Sequence, residues 1–191
     1  MRLLLIVGLL ATVGCATAPN PGSTPGSMEW DTVLAHSAGA PEPLVKDGQL
    51  VLAGRAIRSR ATYTPSFTLE CELQSTQTSS NGSFYVDFVP QDASAAVLSQ
   101  EYVGIKLESS KLEAWASTSN HPPRLIKSTA VQVSAEGRYK LAIEVQRDGL
   151  TVDVNSVPMV IDLPVPYDRF RIEMRASPPP ARWLVRNFTI H

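Results

Sequence analysis

The amino-acid sequence predicts an all-β fold, an antiparallel β-sandwich of the jelly-roll kind in one domain. Apolar and polar residues alternate over short runs, and turn signals interrupt those runs roughly every eight to twelve residues. The composition agrees, with 15 prolines and only 18% charged residues set among many Val, Thr, Ser, Tyr and Phe. The clearest run is Phe67-Thr68-Leu69-Glu70-Cys71-Glu72-Leu73-Gln74, which puts Phe67, Leu69, Cys71 and Leu73 on one face. After a turn at Asn81-Gly82, read as a hairpin, Phe84, Val86 and Phe88 point inward and Tyr85 and Asp87 outward. Further strands are expected at residues 102–107, 112–116, 139–146, 150–155, 170–175 and 183–190, with Asp148-Gly149 closing a tight hairpin. Residues 28–37 suit a short helix and a terminal strand equally. No repeat is present, which argues against a propeller or solenoid.

The N-terminus reads as an export signal. One Arg precedes the apolar run from Leu3 to Ala11, which is too short to stay in a bilayer as a helix. Thr12-Val13-Gly14-Cys15 resembles a bacterial lipobox, which implies cleavage before Cys15 and a lipid on its sulfur. A competing cut after Ala16-Thr17-Ala18 would leave Pro19 next to the scissile bond. The chain therefore divides into a signal peptide at 1–14, a lipidated Cys and Pro/Gly/Ser tether at 15–27, and a β-sandwich domain at 28–191. Ala16 after the cysteine, where inner-membrane lipoproteins carry Asp, implies the outer membrane of a bacterial envelope, with membrane contact through the lipid alone. Cys71 then has no disulfide partner, and its phase marks it as a small buried hydrophobe rather than a nucleophile.

A net charge of −1 offers no electrostatic footprint for nucleic acid or an anionic membrane. His36, His121 and His191 lack the spacing of a zinc site, so no metal or cofactor is expected. Calcium held by loop carboxylates such as Asp47, Asp92 or Asp148 is the alternative. A sugar-binding face needs aromatic rings for C–H stacking and charged groups for hydroxyls, out of phase with the core. Tyr85 with Asp87, Glu113 with Trp115, and the trio Arg171, Glu173 and Arg175 meet that description. Two bland alternatives stay open: Trp115 joins the core if its strand slips by one residue, and the Arg-rich strand is an ordinary solvated face. Trp183 is read as structural.

The opening Lys46-Asp47-Gly48-Gln49-Leu50, the Phe67–Leu73 run and the closing Arg186-Asn187-Phe188 together resemble the concanavalin A-like lectin/glucanase superfamily, over roughly residues 45 to 191. In particular they resemble bacterial domains named for 3-keto-disaccharide hydrolase. The resemblance implies two antiparallel sheets, one of which receives a saccharide. The Glu-x-Asp-x-x-Glu motif of family 16 glucanases is missing. The nearest carboxylate pair, Glu70 and Glu72, lies about 6.5–7 Å apart on one strand face, a weak catalytic candidate that plain solvation explains as well. The expected function is binding of carbohydrate or a glycoconjugate by a lipid-anchored extracytoplasmic domain. The alternatives are a glycoside-acting hydrolase and a structural envelope protein that binds another protein.

Overall fold

The computed structural model describes residues 30–33, 43–46, 49–76, 82–94, 98–134, 137–163, 165–178 and 181–191. The signal, Cys15 and the tether lie outside the described residues, as do His36 and Asp47. Among the described residues there is no helix, and fourteen strands form two antiparallel sheets of seven. The front sheet contains β1 (Trp30–Val33), β4 (Ala56–Ser59), β6 (Ser83–Pro90), β7 (Tyr102–Leu107), β8 (Lys111–Thr118), β9 (His121–Ala130) and β13 (Phe170–Ser177). Their spatial order is β1-β4-β13-β6-β7-β8-β9. The back sheet contains β2 (Leu44–Lys46), β3 (Gln49–Leu52), β5 (Phe67–Ser75), β10 (Arg138–Val145), β11 (Leu150–Val154), β12 (Val157–Ile161) and β14 (Trp183–Ile190). It is ordered β12-β11-β10-β5-β14-β3-β2.

The alternation expected along each long strand sets which side faces the other sheet. Leu69, Cys71 and Leu73 meet Phe84, Val86 and Phe88 across a core from which water is excluded. Phe67 of the back sheet stacks at 5.7 Å on Phe170 of the front, and Phe84 at 5.7 Å on Trp183 of the back, so aromatic rings bolt the layers together. Burial pushes the Cys71 thiol far above its ordinary value, with the Glu72 charge adding to the effect; this leaves a packing role for the sulfur. Trp183, 1% exposed, is structural.

Several expectations need correction. The turn near Asn81-Gly82 is not a hairpin, because β5 belongs to the back sheet and β6 to the front. Both strands bury an alternating face against the same core, so the chain crosses between layers instead of folding back beside itself. Of residues 28–37, Trp30–Val33 is a strand that edges the front sheet, and the rest lie outside the described residues. Strands β4, β9 and β12 are additional to those expected; β12 buries Met159 and Ile161 in alternation, but its outer residues Pro158 and Val160 are not polar, so its sequence shows no period of two. All four residues of β4 are buried, while β9 is exposed on both sides and carries Pro122 and Pro123, which an edge strand tolerates. In β14 the register shifts between Arg186 and Thr189, and Asn187 takes φ 49°. This bulge turns Phe188 and Ile190 inward after Trp183 and Val185, where unbroken alternation would expose Phe188.

Candidate functional site

The front sheet's outer side carries polar residues in register. One row across the strands runs Trp115, Gly104, Asp87, Glu173 and Arg58. The adjacent row, two residues along each strand, runs Glu113, Lys106, Tyr85 and Arg175. Six of the seven residues expected to bind ligand therefore share two neighbouring rows on one face. The seventh, Arg171, is on the same side of β13 beside Val89; it does not line the cavity described below, and neither do Glu113 and Glu173.

Between the rows lies a cavity of about 290 Å³ lined by Tyr85, Asp87, Tyr102, Lys106, Trp115 and Arg175, with Pro123 of β9 at its side. Trp115 projects opposite to Leu112, Ala114 and Ala116, so the slipped register is not adopted, and its ring is half-buried. Its indole Nε1 donates to Glu113 Oε2 at 3.0 Å, which fixes the ring's orientation. The Arg175 guanidinium lies 3.8 Å over the Tyr85 ring centroid, a cation–π contact that holds both flat.

Gly104 makes the cavity possible. A Cβ there would come within 2.2 Å of Asp87 Oδ1 and 2.5 Å of the Val86 carbonyl oxygen. The missing side chain therefore opens the floor between Trp115 and Asp87.

Asp87, Glu113 and Glu173, expected as outward-facing ligand contacts, are only 4%, 5% and 2% exposed. Described residues of the segment between β6 and β7 bond to the same face. Arg58 donates through Nη1 to the Ala93 carbonyl at 2.8 Å, and the Ser117 hydroxyl donates to the Gln100 carbonyl at 2.6 Å. On its other side Arg58 Nε donates to Glu173 Oε2 at 2.9 Å, so one buried guanidinium ties that segment to the sheet. Arg58, Gly104, Tyr102 and Lys106 are absent from the sequence-based candidates. The one signal pointing to any of them was a glycine between Val103 and Ile105 in an otherwise apolar strand.

The charges are matched unevenly. Burial raises Glu173, and Arg58 and Arg175 oppose that rise. Burial likewise acts to raise Glu113, but hydrogen bonds from Lys111 and Trp115 together with the Lys106 and Lys111 charges hold it below the usual carboxylate range. Lys106 pairs with Glu108 and sits 3.6 Å from Glu113. Asp87 is pushed up to about 7, chiefly by burial; the Arg175 charge opposes this, the Glu173 charge adds to it, and the hydrogen bond from Arg175 Nε is long at 3.5 Å.

The remaining candidates lie elsewhere. Glu70 and Glu72 sit on the outer side of the back sheet, in a shallow 270 Å³ depression with Lys140, Asp153 and Asn187, across the sandwich from Asp87. A wider hollow of about 640 Å³ runs along Ser66, Phe67, Thr68 and the turn after β10. Its charged residues Glu144, Arg147 and Asp148 are exposed, so it offers no desolvated polar group to fix a ligand. Asp92 and Asp148 belong to turns of different sheets, and among the described residues no group of three or more His, Cys, Asp or Glu is placed to hold a metal ion.

The sequence matches no protein-family profile and no curated protein. Solved structures do match in shape. The carbohydrate binding module CBM66 from Bacillus subtilis has a TM-score of 0.62 at 14% identity, covering 86% of this chain and 97% of that one. A beta-1,3-1,4-glucanase (lichenase) derived from a mouse hindgut metagenome has a TM-score of 0.56 at 12% identity, covering 86% and 92%. The catalytic domain of an endo-1,3-beta-glucanase (laminarinase) from Thermotoga petrophila RKU-1 has a TM-score of 0.58 at 9% identity, covering 76% and 78%. The chain has the jelly-roll sandwich fold that these carbohydrate-binding and glucanase domains share.

Proposed function

We propose that this protein is a saccharide-binding domain whose ligand sits in the front-sheet cavity, and that it is exported and anchored by a lipid on Cys15. The observation that carries the binding reading is the convergence of half-buried Trp115, Tyr85 and Tyr102 with buried Asp87 and with Arg175. A sugar ring presents an apolar C–H face and a rim of hydroxyls, and this site offers rings for the first and a carboxylate and guanidinium for the second. At about 290 Å³ the space is near the lower limit of small-molecule pockets, which suits one or two sugar units more than a long chain laid in a cleft. A fold shared with a carbohydrate binding module supports the same reading. No observation gives Glu70 and Glu72 a partner in this cavity, so the proposal involves no catalysis. The anchor rests on the Thr12-Val13-Gly14-Cys15 sequence alone.

The test is retention of the full chain, purified in detergent, on a glycan array beside Trp115→Ala. Selective retention of the native protein, reduced about tenfold or more in the variant, is expected from loss of stacking and burial. Failure to retain any glycan, or equal retention by both proteins, would overturn the proposal.

A further inference from the structure

Asp87 is the under-bonded member of the charged rows. It is 4% exposed, yet its one hydrogen-bond partner among the described residues is Arg175 Nε at 3.5 Å. Among the described residues nothing donates to it more closely, and no hydrogen bond reaches the terminal nitrogens of Arg175. Every other charge near the cavity already has a close counter-ion: Glu173 with Arg58, Glu113 with Lys111, and Lys106 with Glu108. An incoming carboxylate brings acceptors only, so it can pair with Arg175 but has no donor for an ionised Asp87. A neutral hydroxyl pair supplies both a donor for Asp87 and an acceptor for Arg175.

We propose that the site takes a neutral saccharide through adjacent hydroxyls shared between Asp87 and Arg175, and that docking drives the proton off Asp87, so acidification releases the sugar. This rests on the saccharide-binding reading above. The proton balance is simple: Asp87 carries one proton in the empty site and none when the hydroxyls donate to it, and the proton passes to the buffer. The groups facing Asp87 are Tyr85 on its own strand, Tyr102 and Lys106 from β7, Glu113 from β8, Glu173 and Arg175 from β13, and Arg58 from β4 behind Glu173. Burial does most to keep the proton on Asp87 when the cavity is empty, and the Glu173 charge adds to it against the opposing Arg175 charge.

The experiment is titration calorimetry of the full chain in detergent with the methyl glycosides of glucose, galactose, mannose, fructose, xylose, N-acetylglucosamine and glucuronic acid. Each is titrated in buffers of different ionisation enthalpy across about pH 5 to 8. A neutral glycoside should bind above about pH 7, lose affinity by about tenfold per pH unit below it, and release close to one proton at about pH 6. Asp87→Asn should bind more weakly with the pH dependence gone. Carboxyl carbon resonances of the native protein should report the Asp87 titration directly, and should show it ionised in the sugar-bound form at about pH 6. Binding that ignores pH, or a preference for the glucuronide, overturns this inference and leaves the binding reading standing. Binding by none of the seven overturns both.

Discussion

Replacing Asp87 with Asn should stabilise the empty protein, and the gain should grow with pH. Asp87 rises from an ordinary 3.8 to about 7 in the fold, chiefly through burial. Between those two values the folded protein keeps a proton that the unfolded chain has lost. The native state binds more protons there, so stability falls as pH rises. Its contribution is complete below about 3.8 and is lost by the time the pH has passed through about 7. At about 1.4 kcal/mol per pH unit, the loss is capped at about 4 kcal/mol. Asparagine mimics the protonated form in size and does not titrate. The two proteins should therefore be nearly equally stable at about pH 4, and the variant should lead by up to about 4 kcal/mol at about pH 8. For a chain of this length that corresponds to a melting difference on the order of 10 °C. Urea and thermal unfolding of both proteins at several pH values provide the assay. A difference that stays flat with pH, or one in which the native protein gains on the variant as pH rises, would refute the account of Asp87 as an under-compensated buried acid.

Gly104→Ala should lower stability by about 1–3 kcal/mol, because two of the three nearest atoms its Cβ would meet are backbone; a raised melting temperature would contradict the role given to this glycine. Arg58→Met strands the buried Glu173 carboxylate and should cost about 3–5 kcal/mol, whereas adding Glu173→Leu should restore most of the loss, as double-mutant unfolding would reveal. Cys15→Ser should abolish incorporation of labelled palmitate and leave uncleaved precursor in cells, while unfolding of the domain is unchanged. A native protein that takes up no label would disprove the anchor.

Much of the architecture was legible in residue alternation, because each long strand has one wet and one dry side. Phe84, Val86 and Phe88 and the outward Tyr85 and Asp87 follow directly from period two, and so does the inward Cys71. Strand β4 left no such trace, since Ile57 faces the core while Arg58 is sealed beneath the β6–β7 segment. Period two could not show β9 either, as an edge strand exposed on both sides has no reason to alternate. The pairing of strands was less visible still. Asn81-Gly82 has the chemistry of a tight turn, but whether the next strand lies alongside or across the core depends on contacts distant in sequence.

The candidate site shows the same division. Which residues project from the front sheet could be read from the sequence, and Tyr85, Asp87, Glu113, Trp115, Glu173 and Arg175 do share one side. Their burial could not be read, because it depends on contacts close in space and remote in the chain, such as those of Arg58 with Ala93 and Ser117 with Gln100. Glu70 and Glu72 looked equivalent to the other carboxylates in sequence, and only strand order sends them to the opposite sheet.

The saccharide-binding claim is tested most directly by amide and side-chain NMR shift mapping, with the seven methyl glycosides added in turn to the full chain in detergent at about pH 7.5. The account predicts saturable shifts, for at least one neutral glycoside, concentrated at Tyr85, Tyr102, Gly104, Trp115 and the Arg175 side chain, with Glu70 and Glu72 unmoved. Shifts centred on the back sheet around Glu70, Glu72 and Asn187, or no saturable shift with any of them, would contradict it.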